Sequence, residues 1–264
     1  MGSGAHLLLT DEPLCRCIQA EGWYPSGEQI EAVDESRGEI ARVMELVRRL
    51  ADRVRTATNE GAFPLVLAGG CNSSLGTTAG ITAGEVGVVW FDAHADFDDP
   101  DENVSGFFDV MGLAMLTGRG WRAQRETIPG HVPIPERNVI LAGVRDLEGY
   151  QRERLEASEV VSIPGAVDLT QLEAAIGDLA RRVTRVYLHF DLDSIDGGEA
   201  RANEYAAAGG PSTEHAVECV RLVCDRLPVA AGALTAYDPA FDEDGRTLAA
   251  ARAITQAIAR GVRP

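Results

Sequence analysis

The sequence predicts a three-layer α/β/α fold with a mainly parallel β-sheet. Short runs rich in β-branched residues alternate with stretches of helical period along almost the whole chain. Strands separated by helices pair in parallel, and helices cover both faces of such a sheet. No internal repeat or low-complexity linker interrupts the 264 residues, so we predict a single domain over residues 1–264.

Seven segments have the composition of strands, and six have the apolar period of helices. The predicted strands are residues 6–10, 65–68, 86–91, 139–144, 160–163, 186–190 and 234–237. The predicted helices are a long one from near residue 37 to beyond residue 54, then 74–82, 110–116, 172–182, 213–226 and 246–260. Ligands of open parallel sheets bind at the carboxyl ends of the strands, so functional residues are expected there.

Composition excludes several classes of partner. The chain carries 41 acidic and 24 basic residues, a net charge of −17, which disfavours nucleic acid because the phosphate backbone is also anionic. No run of eighteen apolar residues predicts a membrane span, and no secretory signal is visible. Five cysteines without a regular framework indicate free thiols, so we expect a cytoplasmic protein.

Three predicted strands end in side chains that bind metals. They are Asp92, His94 and Asp96 after residues 86–91, Asp191 and Asp193 after residues 186–190, and Cys71 after the Gly69-Gly70 pair that follows residues 65–68. Side chains alternate along an extended chain, so residues two apart point the same way. We therefore expect Asp92, His94 and Asp96 to converge on one cleft.

Metal binding is the interpretation that explains so many acids at strand ends. One aspartate there is often a helix cap, but several buried carboxylates are costly unless they are paired or bound to a cation. Carboxylate and imidazole ligands suit Mn²⁺, Fe²⁺, Co²⁺ or Zn²⁺. Bridging carboxylates would hold two such ions ~3.5–4 Å apart.

These motifs resemble those of the arginase (ureohydrolase) superfamily, whose strands end in G-G-D-H-S, D-A-H-x-D and D-V-D-x-x-D-P. The corresponding segments here are Gly69-Gly70-Cys71, Asp92-Ala93-His94-Ala95-Asp96 and Asp191-Leu192-Asp193-Ser194-Ile195-Asp196, followed by Gly143-Val144-Arg145-Asp146 and Asp238-Pro239. The resemblance implies an arginase-like fold and hydrolysis of a linear C–N bond in a small guanidino-type metabolite. It also implies two manganese ions and a possible homo-oligomer.

The resemblance assigns roles by position. It places Cys71 and Asp96 on the first metal, and His94 and Asp193 on the second. Asp92 and Asp191 would bridge the two ions. In the family a metal-bridging hydroxide attacks the guanidinium carbon, and the first-metal aspartate, here Asp96, passes a proton to the leaving amine.

Cys71 stands where the family has a histidine, and two interpretations remain open. A buried hydrophobic cysteine would leave the first metal short of a ligand. A ligating thiolate would shift the preference from Mn²⁺ toward Zn²⁺ or Fe²⁺. Cysteine at this position resembles a subset of the family that includes an N-hydroxy-L-arginine amidinohydrolase.

Further departures concern the proton path and the substrate. Asp109 replaces a proton-shuttling histidine and is either an acid–base group or a helix cap. Ala236 replaces a glutamate that pairs with the guanidinium, which favours a hydroxyguanidine or another amidine over arginine. We also predict substrate contacts from Asp98, Glu148 and Tyr205, although Glu148 is equally explained as a surface charge.

His189 shares the parity of Asp191, and it would either support that carboxylate or be a hydrogen-bonded core histidine. The alternative to a hydrolase is a non-catalytic metal- or ligand-binding protein with the same fold. A one-metal deacetylase is disfavoured because its His-His pair is missing from the sequence.

Overall fold

The computed structural model describes residues 2–81 and 84–262, and a six-stranded sheet forms its centre. The strands are β1 Leu65–Leu67, β2 Val86–Phe91, β3 Val139–Ala142, β4 Val161–Ile163, β5 Arg185–Asp191 and β6 Val229–Thr235. Their order is β1-β6-β5-β2-β3-β4, and each neighbouring pair is parallel. The predicted α/β fold with a mainly parallel sheet is therefore confirmed.

Helices connect the strands. They are α1 Gly2–Thr10, α2 Glu12–Ala20, α3 Glu39–Asn59, α4 Ser73–Gly80, α5 Gly112–Leu116, α6 Arg122–Arg125, α7 Gly149–Glu156, α8 Leu169–Leu179, α9 Thr213–Arg226 and α10 Arg246–Gly261. Short 3₁₀ turns lie at Glu35–Arg37, Asp109–Met111, Glu136–Asn138, Leu192–Ser194 and Pro239–Phe241. Within residues 2–81 and 84–262, none of these helices has both the length and the apolar character to cross a bilayer.

Two apolar clusters lie on opposite faces of the sheet and make the three layers. Val89 and Phe91 of β2 pack into a cluster with α8, α9 and α10. Val88 and Trp90 of the same strand pack into the other cluster with α3, α4 and α5. Because consecutive side chains enter opposite layers, every residue of β2 is buried, as expected for a central parallel strand.

The strand predicted at residues 6–10 is wrong, because these residues belong to α1. A five-residue apolar run has too little period to distinguish a strand from a helix. The Thr10 hydroxyl donates to the carbonyl of His6, and Leu8 enters the core. A Cβ on Gly4 would lie 1.9 Å from the carbonyl oxygen of Tyr237, so the backbone of α1 packs closely against the backbone of Tyr237.

The last strand is displaced from its prediction at residues 234–237. β6 ends at Thr235, and Ala236 takes a left-handed conformation with φ 61°. The strand begins among small residues of low β-propensity, and it forms because it lies between β1 and β5. The helix predicted at 110–116 is divided into a 3₁₀ turn and α5, and the predicted helix end at Thr82 lies outside the described residues.

The strand order creates a crevice between β5 and β2. The chain leaves β2 toward β3 on one side and leaves β5 toward β6 on the other. Connections that diverge from neighbouring parallel strands open a ligand site at their carboxyl ends. β1 lies beyond β6, where the amide of Ala68 donates to the carbonyl of Leu234 and directs the following loop toward this crevice.

Candidate metal centre

Two groups of potential metal ligands meet in the crevice. Cys71, Asp92, His189 and Asp191 form the first group, and Asp92, His94 and Asp193 form the second. Within each group the ligand atoms all lie within 4.8 Å of one another. Among the described residues, Asp92 is the member common to both groups, so the site has the arrangement of a pair of adjacent cation sites with a shared carboxylate.

A turn after β2 places Asp92 and His94. Oδ1 of Asp92 accepts a hydrogen bond of 2.7 Å from the amide of His94, which folds the backbone immediately after the strand. Nδ1 of His94 then lies 3.3 Å from Oδ1 of Asp92 and 3.5 Å from Oδ2 of Asp193. The indole of Trp90 donates to Oδ2 of Asp92 at 2.9 Å. The side chains meet through this turn rather than through alternation along a strand.

Asp191 and Asp193 are placed by the end of β5 and the 3₁₀ turn that follows. The amide of Asp193 donates to Oδ1 of Asp191 at 2.9 Å. Oδ1 of Asp193 accepts from the amide of Ala93 at 3.3 Å, and Oδ2 accepts from Nδ2 of Asn203 at 3.1 Å. Both carboxylates are almost completely buried and face the loop from β2.

Cys71 lies beside Asp191, and Asp109 positions it. The Cys71 thiol donates to Oδ2 of Asp191 at 3.1 Å. The carboxylate of Asp109 accepts from the amides of Cys71 and Asn72, each at 3.1 Å. Gly70 permits this contact, because a Cβ there would lie 2.4 Å from Oδ2 of Asp109.

His189 belongs to the first ligand group, although no metal role was predicted for it from the sequence. Its ring stacks on Trp90 with 3.6 Å between the ring centroids, and its Nδ1 lies 2.8 Å from the hydroxyl of Tyr187. Nε2 therefore faces Cys71, with Sγ at 3.3 Å. The parity shared with Asp191 was the signal in the sequence, since residues two apart on β5 face the same layer.

Burial controls the electrostatics of the site. Desolvation raises the pKa of Asp92, Asp96, Asp191 and the Cys71 thiol, and neighbouring carboxylates raise these values further. Burial also lowers the pKa of His189 to about 3, which keeps its imidazole neutral.

His94 and Asp193 behave in the opposite way. Burial opposes a charge on His94, but hydrogen bonds and charges from Asp193 and Asp92 outweigh it and raise the His94 pKa to about 12. Burial likewise raises the pKa of Asp193, yet the bond to His94 produces a net lowering. The cluster attracts positive charge, as a cation site must.

These residues fit two divalent cations. They offer carboxylate oxygens, neutral imidazole and a thiol within one buried crevice. Buried like-charged carboxylates are costly without a compensating cation, which their raised pKa values express. The donor set is one that transition metals accept.

Asp96 and Asp109 lie near the ligand groups without belonging to either of them, within the described part of the chain. Asp96 is buried at a left-handed φ of 48°, and its carbonyl accepts from the amides at the start of α5. Burial raises the pKa of Asp109 to about 6, although its two backbone hydrogen bonds lower it. The metal-binding role of Asp96 therefore stays a prediction.

The predicted substrate residues occupy different surroundings. Tyr205 is exposed and meets the His94 ring edge-on at 6.4 Å, while its own ring stacks on Phe107 at 5.7 Å. Asp98 is buried, and donors from Asn103, Tyr150 and Gln151 occupy its carboxylate. Glu148 is exposed at the start of α7, with its amide bonded to Gln151.

Comparison with known proteins supplies the family. The sequence profile described as "Arginase family" matches residues 18–260. The chain belongs to the arginase family. It is 29% identical over 248 residues to an arginase of Bacillus caldovelox, covering 90% of this chain and 83% of the relative. It is 26% identical over 213 residues to an arginase of Staphylococcus aureus strain MRSA252, covering 78% and 70%.

Solved structures confirm the arginase-like fold. Arginase from Bacillus cereus superposes with a TM-score of 0.84 at 22% identity, covering 98% of this chain and 91% of that chain. Formimidoylglutamase from Bacillus subtilis superposes with a TM-score of 0.69 at 17% identity, covering 94% and 80%. Proteins with different names therefore share this arginase-family architecture.

Two residues beside this arginase-family site were given no functional role from the sequence, Arg145 and Asp146. Arg145 donates to six backbone carbonyls, those of Gly143, Asp193, Ser194, Ile195, Ala207 and Ala208. Asp146 has Oδ2 at 3.8 Å from Nε2 of His94. The amides of both residues donate to the carbonyl of Ala93, which brings the loop after β3 to the candidate metal centre. The signal in the sequence was the segment Gly143-Val144-Arg145-Asp146, which resembles the family but was assigned no role.

Proposed function

We propose that this chain is a binuclear-metal hydrolase of the amidinohydrolase type. It cleaves a linear C–N bond in a guanidino, hydroxyguanidino or related amidine metabolite. The observation that carries the proposal is the pair of ligand groups that share Asp92 at the crevice between β5 and β2. The relatives named arginases, which align over most of this chain, support the reaction class.

Cys71 and Asp191 are proposed to hold one ion, and His94 and Asp193 the other, with Asp92 between them. Two bound divalent ions, Mn²⁺ or, because of Cys71, Zn²⁺ or Fe²⁺, would supply Lewis acidity and a water of near-neutral pKa. Hydrogen bonds orient these carboxylates: Trp90 donates to Asp92, Asn203 to Asp193 and Thr235 to Asp191.

Asp96 is proposed as the group that carries a proton to the leaving amine. Burial and three neighbouring carboxylates raise its pKa, which favours the protonated form that a proton donor needs. Asp109 is proposed as a second proton site, with its pKa of about 6. Its two amide hydrogen bonds show that it also stabilises the turn that holds Cys71.

The substrate is proposed to be less basic than arginine. Ala236 is buried, and its carbonyl accepts from Asn203, so this position offers no carboxylate to a guanidinium. The aromatic pair Tyr205 and Phe107 lies beside His94 and is proposed to cover the bound substrate. Glu148 is proposed to attract an amino group of the substrate. Asp98 is proposed to contribute to substrate binding indirectly, because its carboxylate accepts a hydrogen bond from Gln151 and holds that side chain in place.

A second candidate function is binding without catalysis, and Ala236 is the observation that favours it. Under either function the partner is a small molecule, and a cytoplasmic location is proposed because all five cysteines are free. A homo-oligomer is proposed from the resemblance to the family.

Metal analysis followed by turnover assays tests the proposal. Chelator-treated protein would be reloaded with Mn²⁺, Zn²⁺ or Fe²⁺, and its metal content per chain would be measured. The reloaded protein would then be assayed for release of urea or hydroxyurea. The substrates are arginine, N-hydroxyarginine, agmatine and guanidinobutyrate. We expect two equivalents of metal and faster hydrolysis of the hydroxyguanidine than of arginine. Two equivalents with no turnover of any amidine would favour the binding protein, and no bound metal would overturn the binuclear site.

A further inference from the structure

We propose that His189 is itself a metal ligand. With Cys71 it forms a sulfur–nitrogen pair that holds one ion of the centre and makes that position selective for Zn²⁺ over Mn²⁺. The inference rests on the proposed binuclear site and assigns a ligand from the interior of β5, in addition to those at the strand ends.

The distances match a tetrahedral site. Sγ of Cys71 lies 3.3 Å from Nε2 of His189 and 3.1 Å from Oδ2 of Asp191. Zn–S bonds of ~2.3 Å and Zn–N or Zn–O bonds of ~2.0 Å separate tetrahedral ligands by about 3.5 Å. An outward adjustment of a few tenths of an ångström would therefore admit the ion among these three side chains.

The surroundings of His189 hold its ring as metal-binding histidines are usually held. Such a histidine commonly donates its second ring N–H to a neighbouring acceptor, which sets the tautomer and the direction of the ring. Here Nδ1 lies 2.8 Å from the hydroxyl of Tyr187, and the ring stacks on Trp90. In the tautomer with Nδ1–H donated to Tyr187, the lone pair of Nε2 faces Cys71 and Asp191.

Hydrogen bonding around Nε2 leaves that lone pair available. The thiol of Cys71 and the hydroxyl of Thr235 are its nearest donors, at 3.3 and 3.2 Å. Both also lie within hydrogen-bond distance of Oδ2 of Asp191, at 3.1 and 2.9 Å. Both groups donate to this carboxylate oxygen, so their protons are directed to Asp191 rather than to the imidazole.

The two ligand groups differ in chemistry, which makes the two positions unequal. The group with His189 contains a thiol and an imidazole, donors that suit Zn²⁺ in four-coordinate sites. The other group has the imidazole of His94 and two carboxylates but no thiol, so it lacks the soft donor that favours Zn²⁺ over Mn²⁺. We therefore expect a single equivalent of Zn²⁺ to occupy the group with His189 when Mn²⁺ is also supplied.

X-ray absorption at the zinc edge tests the ligand assignment without reference to activity. The protein would be stripped of metal and given one equivalent of Zn²⁺, in the wild type and in His94→Ala. The His94→Ala substitution removes the imidazole of the other group. We expect a sulfur shell at ~2.3 Å together with imidazole scattering in both proteins.

Variants of the pair provide the matched comparison. His189→Gln should lose the imidazole scattering, keep the sulfur shell and bind Zn²⁺ at least roughly 100-fold more weakly, whereas Cys71→Ser should lose the sulfur shell and keep the imidazole. Circular dichroism would verify folding. If His189→Gln does not fold, the spectrum of His94→Ala alone decides.

A sulfur shell without imidazole in His94→Ala would overturn the assignment, and so would imidazole without sulfur in the wild type. Either result together with two bound metals and amidine hydrolysis leaves the proposed function intact. Absence of both metal and turnover would instead refute the proposed function.

Discussion

Nη2 of Arg145 donates a hydrogen bond of 2.9 Å to the backbone carbonyl of Asp193, whose carboxylate belongs to the second ligand group. The same guanidinium bonds to Ser194 and Ile195 in the turn and to Ala207 and Ala208 farther along the loop. One planar cation thus joins the loop after β3 to the loop after β5 and sets the position of a proposed metal ligand.

Arg145→Lys should weaken both the fold and the metal centre. An ammonium group cannot reach the set of carbonyls that the planar guanidinium reaches, so several buried acceptors lose their donor. We expect a loss of about 2–4 kcal/mol in the free energy of unfolding and weaker binding of one metal. Denaturant unfolding and metal titration measure these effects, with the exposed Arg152→Lys as control. Unchanged metal affinity would show that the loop is positioned without Arg145.

Asp193→Ala should lose one metal equivalent and nearly all turnover. Oδ2 of Asp193 lies 3.5 Å from Nδ1 of His94, and both residues belong to the second group of potential metal ligands. Metal content per chain and steady-state rates are the measurements. Asp225→Ala, at an exposed position on α9, removes the same charge far from the strand ends and should change neither quantity. Full activity in Asp193→Ala would refute a two-metal mechanism.

Tyr205→Ala should raise KM about two- to tenfold with little change in kcat. The ring stacks on Phe107 and meets His94 edge-on, so its loss would remove the proposed contact with the substrate and leave the proposed metal ligands in place. Tyr24→Ala, which removes a ring that is 97% exposed, is the control. A fall in kcat with an unchanged KM would place Tyr205 in the chemical step instead.

Cys71→His should shift metal preference toward manganese. If Cys71 binds the metal as a thiolate, imidazole in its place would remove the softest donor and one negative charge from the first group. Competition between Mn²⁺ and Zn²⁺, followed by metal analysis, should show a higher Mn²⁺ fraction than in the wild type. Cys219→Ala, at a buried cysteine of α9 in the apolar core, is the control for loss of a thiol. An unchanged metal ratio would argue against ligation by Cys71.

His131→Leu should remove part of the acid sensitivity of the fold. Burial lowers the His131 pKa to about 4, and neither ring nitrogen has a hydrogen-bond partner. The unfolded chain, with a pKa of about 6.5, binds more protons between these values, so stability falls as the pH drops from 6.5 toward 4.

The free energy of unfolding of the wild type should fall by up to about 3 kcal/mol across that pH window. The partial exposure of His131 makes the actual fall smaller than this maximum. Thermal unfolding from pH 7 to pH 4 should show a shallower decline for His131→Leu. The exposed His6→Leu should follow the wild type. Parallel curves for His131→Leu and the wild type would show that His131 is not the group responsible.

Long periodic segments and central strands were predictable because their patterns repeat. The α9 helix has the bounds expected from its apolar spacing, and β2 follows its apolar run. The segment at residues 6–10 was assigned wrongly because five residues fit either period. The start of β6 was missed because its small residues take their conformation from neighbouring strands rather than from propensity.

The residue types and their order along the chain determined the family, the parallel sheet and the acids that gather at its carboxyl edge. Only the tertiary structure decided that His189 joins Cys71, and that Arg145 orders the loop that carries Asp193. Strand order and loop path bring together residues more than a hundred positions apart, and local periodicity carries no record of such distant neighbours.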